Sequence, residues 1–125
     1  ITGTGQGTDS VLTMERVIGT NFDDTLISGL GADTFVAGTG TDTMSFANIA
    51  TAVTVTLTAG TPGQGSATGQ GSDSFSGVEH IMGSSLNDTF NVSTTVSSDE
   101  TFDAGAGTDT ISYATVTTPV TIDLY

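Results

Sequence analysis

Gly5-Gln6-Gly7-Thr8-Asp9-Ser10 returns as Gly69-Gln70-Gly71-Ser72-Asp73-Ser74, a shift of 64 residues in a chain of 125. The register continues, Met14-Glu15-Arg16-Val17-Ile18-Gly19 matching Val78-Glu79-His80-Ile81-Met82-Gly83 and Asp23-Asp24-Thr25-Leu26 matching Asn87-Asp88-Thr89-Phe90. Further on the shift is 67, pairing Gly38 to Phe46 with Gly105 to Tyr113, so the second copy carries three extra residues near Val92 to Ser98. Self-similarity of this kind restricts a chain to architectures that stack like on like. A shorter period lies inside each copy. Segments 19–27, 28–36 and 37–45 align nine by nine, with Asp24, Asp33 and Asp42 in one column and Leu26, Phe35 and Met44 in another. One inward apolar residue flanked by Thr predicts a strand of about three residues, and the Gly-x-Gly-x-Asp stretch predicts the tight turn before it. Two units make one flattened coil. Residues 18 apart, such as Asp24 and Asp42, are then stacked at roughly one strand spacing, about 4.8 Å, with Asp33 on the opposite edge.

Composition agrees with an all-β chain. Seventeen Gly, two Pro, no Trp and one Arg without any Lys leave few residues that favour helices. Both copies close on alternating stretches, Val53-Thr54-Val55-Thr56-Leu57 and Val120-Thr121-Ile122-Asp123-Leu124, each predicted as a strand. The stretch 60–68 is Gly-rich and is expected to be a loop between copies at about 5–59 and 69–125, within one domain spanning 1–125. Segment 10–18 departs from the nine-residue unit, and Glu15 and Glu79 are expected in a tightened turn. No stretch reads as a signal peptide or membrane span. Zero Cys excludes disulfides and thiolate metal sites.

Fourteen acidic residues against one Arg give a net charge of −13, which repels nucleic acid and anionic lipid and calls for cations. Carboxylates stacked one strand apart repel by about 1 kcal/mol even at the dielectric of water. Ca²⁺ relieves this, because it takes six to eight oxygens and can combine Asp side chains with turn carbonyls. Each turn is then half a site, an ion between two turns completes it, and metal binding becomes part of folding.

These residues resemble the hemolysin-type calcium-binding repeats of the RTX (repeats-in-toxin) family, Gly-Gly-x-Gly-x-Asp-x-apolar-x, a known β-helix signature. The best units begin at Ser28, Ala37 and Ala104, with weaker ones at Thr4, Gly19, Thr68 and Gly83. The resemblance implies a right-handed parallel β-roll or β-helix, a solenoid with Ca²⁺ in its turns, and type I secretion of the parent bacterial protein. Carried onto matching positions, it implies metal ligation at Asp9, Asp24, Asp33, Asp42, Asp73, Asp88 and Asp109. The turn glycines beside them are Gly5, Gly7, Gly29, Gly31, Gly38, Gly40, Gly69, Gly71, Gly105 and Gly107. Two to four ions are expected, the strongest where Asp24 meets Asp42 and Asp9 meets Asp24. Asp73, Asp88 and Asp109 are the second set, and Asp33 is expected to face Glu15 alone. No unit has both leading glycines, Thr20 and Phe22 replace turn glycines in 19–27, and the unit 95–103 has Glu100 in the Asp column with no glycine at all. That turn is expected to have lost its ion.

The expected function is a structural or adhesive calcium-binding module, exported unfolded and folded by extracellular calcium. The alternatives are an accessory module of a secreted enzyme and a calcium-dependent surface-layer or filament subunit joined head to tail or to neighbouring repeats. Catalysis within the chain is not expected, since equivalent stacked carboxylates lack the unlike environments that an acid and a base need. His80 aligns with Arg16 and is expected at the surface; Phe46 and Tyr113 are equivalent and expected in the core.

Overall fold

Thr25-Leu26-Ile27 shows how one unit folds: Leu26 points inward at 8% exposure while Thr25 and Ile27 face out. Repetition of that pattern builds the molecule. The computed structural model describes residues 15–93 and 100–122. Within them lie β1 (Arg16–Ile18), β2 (Thr25–Ile27), β3 (Thr34–Val36), β4 (Thr43–Ser45), β5 (Thr54–Leu57), β6 (Gly65–Thr68), β7 (Ser72–Ser76), β8 (His80–Met82), β9 (Thr89–Asn91), β10 (Thr101–Asp103) and β11 (Thr110–Ser112). No helix occurs among the described residues.

The strands form a wide sheet, β1-β3-β7-β6-β5-β9-β11, and a narrow one, β10-β8-β4-β2. From β1 to β5 and from β7 to β11 the chain alternates between the sheets, and β1 with β3, β2 with β4, β8 with β10 and β9 with β11 stack in parallel. The 18-residue period is present as predicted, Arg16 opposite Thr34 and Thr25 opposite Thr43. In the second copy it becomes 21, Thr89 opposite Thr110, which absorbs the three extra residues. Inward side chains of both sheets meet in one core that includes Leu26, Met44, Ile81, Phe35, Phe75 and Phe90. Phe46 belongs to it and Tyr113 packs against it, as expected.

Two expectations need correction. The stretch 60–68 is not a loop throughout: it turns at 58–64, where Thr58 N–H donates to the Gln64 carbonyl (2.8 Å), and then forms β6. β6 pairs antiparallel with both β5 and β7. The reason is local packing. Gly65 lies where a Cβ would come within 2.6 Å of the Phe75 ring and 2.7 Å of the Thr56 carbonyl, so glycine here permits strand contact rather than a bend. Second, residues 120–122 form no strand, and Val120 and Ile122 are exposed. Asp123 and Leu124 lie outside the described residues.

The duplication has a consequence the sequence conceals. β8 and β9 correspond to β1 and β2 at the 64-residue shift, yet β1 is in the wide sheet and β8 in the narrow one, while β2 and β9 are exchanged the other way. Equivalent strands of the two copies therefore occupy opposite sheets.

Candidate metal centre

An acidic residue precedes most strands, and parallel stacking sorts these residues into two columns. Asp24, Asp42, Glu79 and Glu100 precede β2, β4, β8 and β10; Glu15, Asp33 and Asp73 lead into the β1, β3 and β7 ladder, and Asp88 and Asp109 precede β9 and β11. Glu79 ends the turn between β7 and β8, and both Glu15 and Glu79 take column positions; the turn expected before Glu15 lies outside the described residues.

Neighbouring carboxylates in a column are held by backbone donors. Each reaches back to the backbone of the preceding layer: Asp24 N–H donates to Asp42 Oδ1 (2.8 Å), Asp42 N–H to Glu79 Oε2 (2.9 Å), Asp33 N–H to Asp73 Oδ1 (3.0 Å) and Asp88 N–H to Asp109 Oδ1 (2.8 Å). At Asp88 the donor is Val53 N–H (2.7 Å), because β5 rather than an acidic turn stacks there. Such charge-assisted bonds satisfy backbone donors that the strands leave unpaired.

Asp24 and Asp88 also cap their own turns. Thr20 N–H donates to Asp24 Oδ2 (2.5 Å) and Ser84 N–H to Asp88 Oδ2 (2.6 Å), with the Thr20 and Ser84 hydroxyls on the same carboxylates. Gly19 and Gly83 make room for this: a Cβ there would lie 2.7 Å from Asp24 Oδ2 or 2.6 Å from Asp88 Oδ2. One layer on, Thr41 N–H donates to Asp23 and Thr108 N–H to Asn87, both at 2.8 Å. These bonds of turns 19–24 and 37–42 thus recur in turns 83–88 and 104–109.

Among the predicted residues, Asp24 and Asp42 are adjacent as expected, as are Asp88 and Asp109. Asp73 is not beside Asp88, since β6 and β5 intervene. It is beside Asp33, which therefore faces Asp73 as well as Glu15. Burial first, then the carboxylates of Asp73 and Glu15, push the Asp33 carboxyl above its ordinary value. Gly38 and Gly40, Gly105 and Gly107, Gly29 and Gly31, and Gly69 and Gly71 all lie in the stacked turns. Asp9, Gly5 and Gly7 lie outside the described residues. His80 opens β8 half-buried rather than at the surface, and its Nε2 has no hydrogen-bond partner among the described residues. Sequence reasoning missed Gly19, Gly83, Thr20, Ser84 and the pair Asp23 and Asn87, although each recurs at the 64-residue shift.

No three acidic or imidazole side chains converge among the described residues, so an ion held here would have to draw most of its shell from turn carbonyls. Asp42 fits that need. Its side chain is fully buried, Oδ1 is bound by Asp24 N–H, and Oδ2 has no hydrogen-bond partner among the described residues. A buried carboxylate oxygen requires a partner, and hard oxygen donors suit Ca²⁺. By contrast, a groove of about 420 Å³ over β3, β6 and β7 is lined by Thr34, Ser66, Ser74, Ser76 and other uncharged residues.

Comparison with known proteins agrees with the turn chemistry. The family model HemolysinCabind, RTX calcium-binding nonapeptide repeat, matches in four copies over residues 14–45 and 95–112. No similar curated protein and no similar solved structure was found. Over those two stretches the sequence matches the RTX calcium-binding nonapeptide repeat.

Proposed function

We propose that this chain is a calcium-clamped structural module of a secreted bacterial RTX-type protein, with both copies in one domain wound as a right-handed parallel solenoid. The observation that carries the reading is the twofold occurrence of one turn pair, 19–24 on 37–42 and 83–88 on 104–109, each presenting Asp side chains to the layer before. Asp24 with Asp42 and Asp88 with Asp109 are the proposed ligands, supplemented by turn carbonyls. Without calcium the net charge of −13 opposes compaction, which suits export of an unfolded chain. Outside the cell, calcium at the roughly 10⁻⁴–10⁻³ M affinities of extracellular modules neutralises the columns. No catalytic role is proposed, because the carboxylates are engaged as equivalent backbone acceptors. The module serves adhesion or spacing, and its two ends are joining surfaces for further repeats.

The test is thermal melting followed by circular dichroism in EDTA and in calcium. At a hundredfold excess over the dissociation constant, one site adds about 2.7 kcal/mol. Asp42→Asn and Asp109→Asn are expected to reduce that gain, each for its own turn pair. Identical melting in EDTA and calcium removes the ion from the mechanism.

A further inference from the structure

β5 shows what the closing strand of a copy needs. It lies between β6 and β9, with Thr54, Val55 and Thr56 opposite Thr89, Phe90 and Asn91. Val53 N–H is held by Asp88 Oδ1, and the Val53 carbonyl accepts from Thr89 N–H (2.9 Å). So placed, Val53 and Val55 are 2% and 1% exposed.

The equivalent residues of the second copy, Val120 and Ile122 at a shift of 67, are 42% and 56% exposed. Their missing neighbour is identifiable. The strand equivalent to β9 at a shift of 64 is β2, which ends the narrow sheet and pairs with β4 alone among the described residues. Among the described residues its outer edge has no cover. Asp88 is 1% exposed, whereas its equivalent Asp24 is only half-buried, and nothing among the described residues takes the place of Val53 on Asp24 Oδ1. Ile27, at the end of β2, is 52% exposed.

We infer that residues 120–122 of one chain add as a parallel strand to β2 of a second copy, with Thr121 opposite Thr25 and Ile122 opposite Leu26. Val120 N–H of the one then bonds Asp24 Oδ1 of the other, and Thr25 N–H bonds the Val120 carbonyl. The internal contact between copies is thereby repeated between chains. This deepens the end-to-end reading above and rests on it, but not on calcium.

The absence of Cys makes the register directly testable. Paired positions on adjacent strands lie about 4.8 Å apart, within disulfide range. Thr25→Cys and Thr121→Cys chains are mixed under mild oxidation in 0.5 M NaCl, where screening acts over about 4 Å and two chains of like charge can approach. The expected product is the mixed dimer, in clear excess over either homodimer and over a mixture of Thr25→Cys with Thr110→Cys on β11. Adding Ile122→Asp to the Thr121→Cys chain lowers its yield about tenfold or more. Its melting temperature stays the same, because Ile122 is exposed in the single chain. A predominant Thr25–Thr110 product overturns the register while leaving end-to-end joining intact. Monomers at every concentration, in EDTA and in calcium alike, overturn both, whatever the calcium dependence of melting.

Discussion

Gly38 and Gly29 hold the same place in successive nine-residue units, but the stack treats them differently. Gly38 has φ of 122°, and a Cβ on it would run into the Thr20 carbonyl of the layer before; nothing lies within 4 Å of a Cβ on Gly29. Gly38→Ala is therefore expected to cost at least about 1–2 kcal/mol from its backbone conformation, with the collision in addition. Gly29→Ala should be neutral or stabilising by about 0.4–1 kcal/mol through the unfolded chain. Urea midpoints of the two variants measure the difference. Asp33 sets a pH dependence of definite sign. Its carboxyl titrates above the unfolded value of 3.8 because burial, Asp73 and Glu15 disfavour its charge. Above the raised native value both states are ionised and the folded chain carries the penalty. As pH falls through that value the folded chain takes up its proton first, so this residue's contribution to stability grows until the unfolded value is passed. In EDTA, Asp33→Asn should raise the melting temperature at pH 7 and flatten its pH dependence between those two values.

Elements of three residues were legible because each sets one apolar residue after a threonine that follows an acidic turn residue, as β2, β3 and β4 all do. β6 was not. Gly65-Ser66-Ala67-Thr68 has little intrinsic strand preference, and what makes it a strand is position: Ala67 is 2% exposed and both edges are paired. The error at 120–122 is the converse, since alternating residues become a strand only beside another. The candidate site divides the same way. The Asp columns follow from the nine-residue period, whereas the bond from each carboxylate to the preceding layer's N–H depends on stacking, and the separation of Asp73 from Asp88 depends on the hairpin. Ser66→Pro tests the hairpin: the Ser66 side chain is exposed, so loss of stability reports the missing N–H in a strand paired on both sides. The expected outcome is loss of cooperative unfolding of the two copies, read by urea titration with hydrogen exchange at β9 and β11 unprotected before β2 and β4.

At the scale of the whole molecule, the shift of 64 residues announced two copies but not their relation, because a sequence has no way to mark which sheet a strand joins. That depends on how many crossings separate the copies, and the hairpin, by keeping β5, β6 and β7 in one sheet, makes the count odd. The hairpin also makes the sheets unequal. Seven strands at roughly 4.8 Å span about 29 Å and four span about 14 Å, a difference that in a longer row of such copies is expected to bend the stack toward its narrow side. Since the copies trade sides, the next hairpin in a longer row falls on the opposite flank and bends it back. An even number of such hairpins gives a straight rod, and an odd number leaves a permanent elbow.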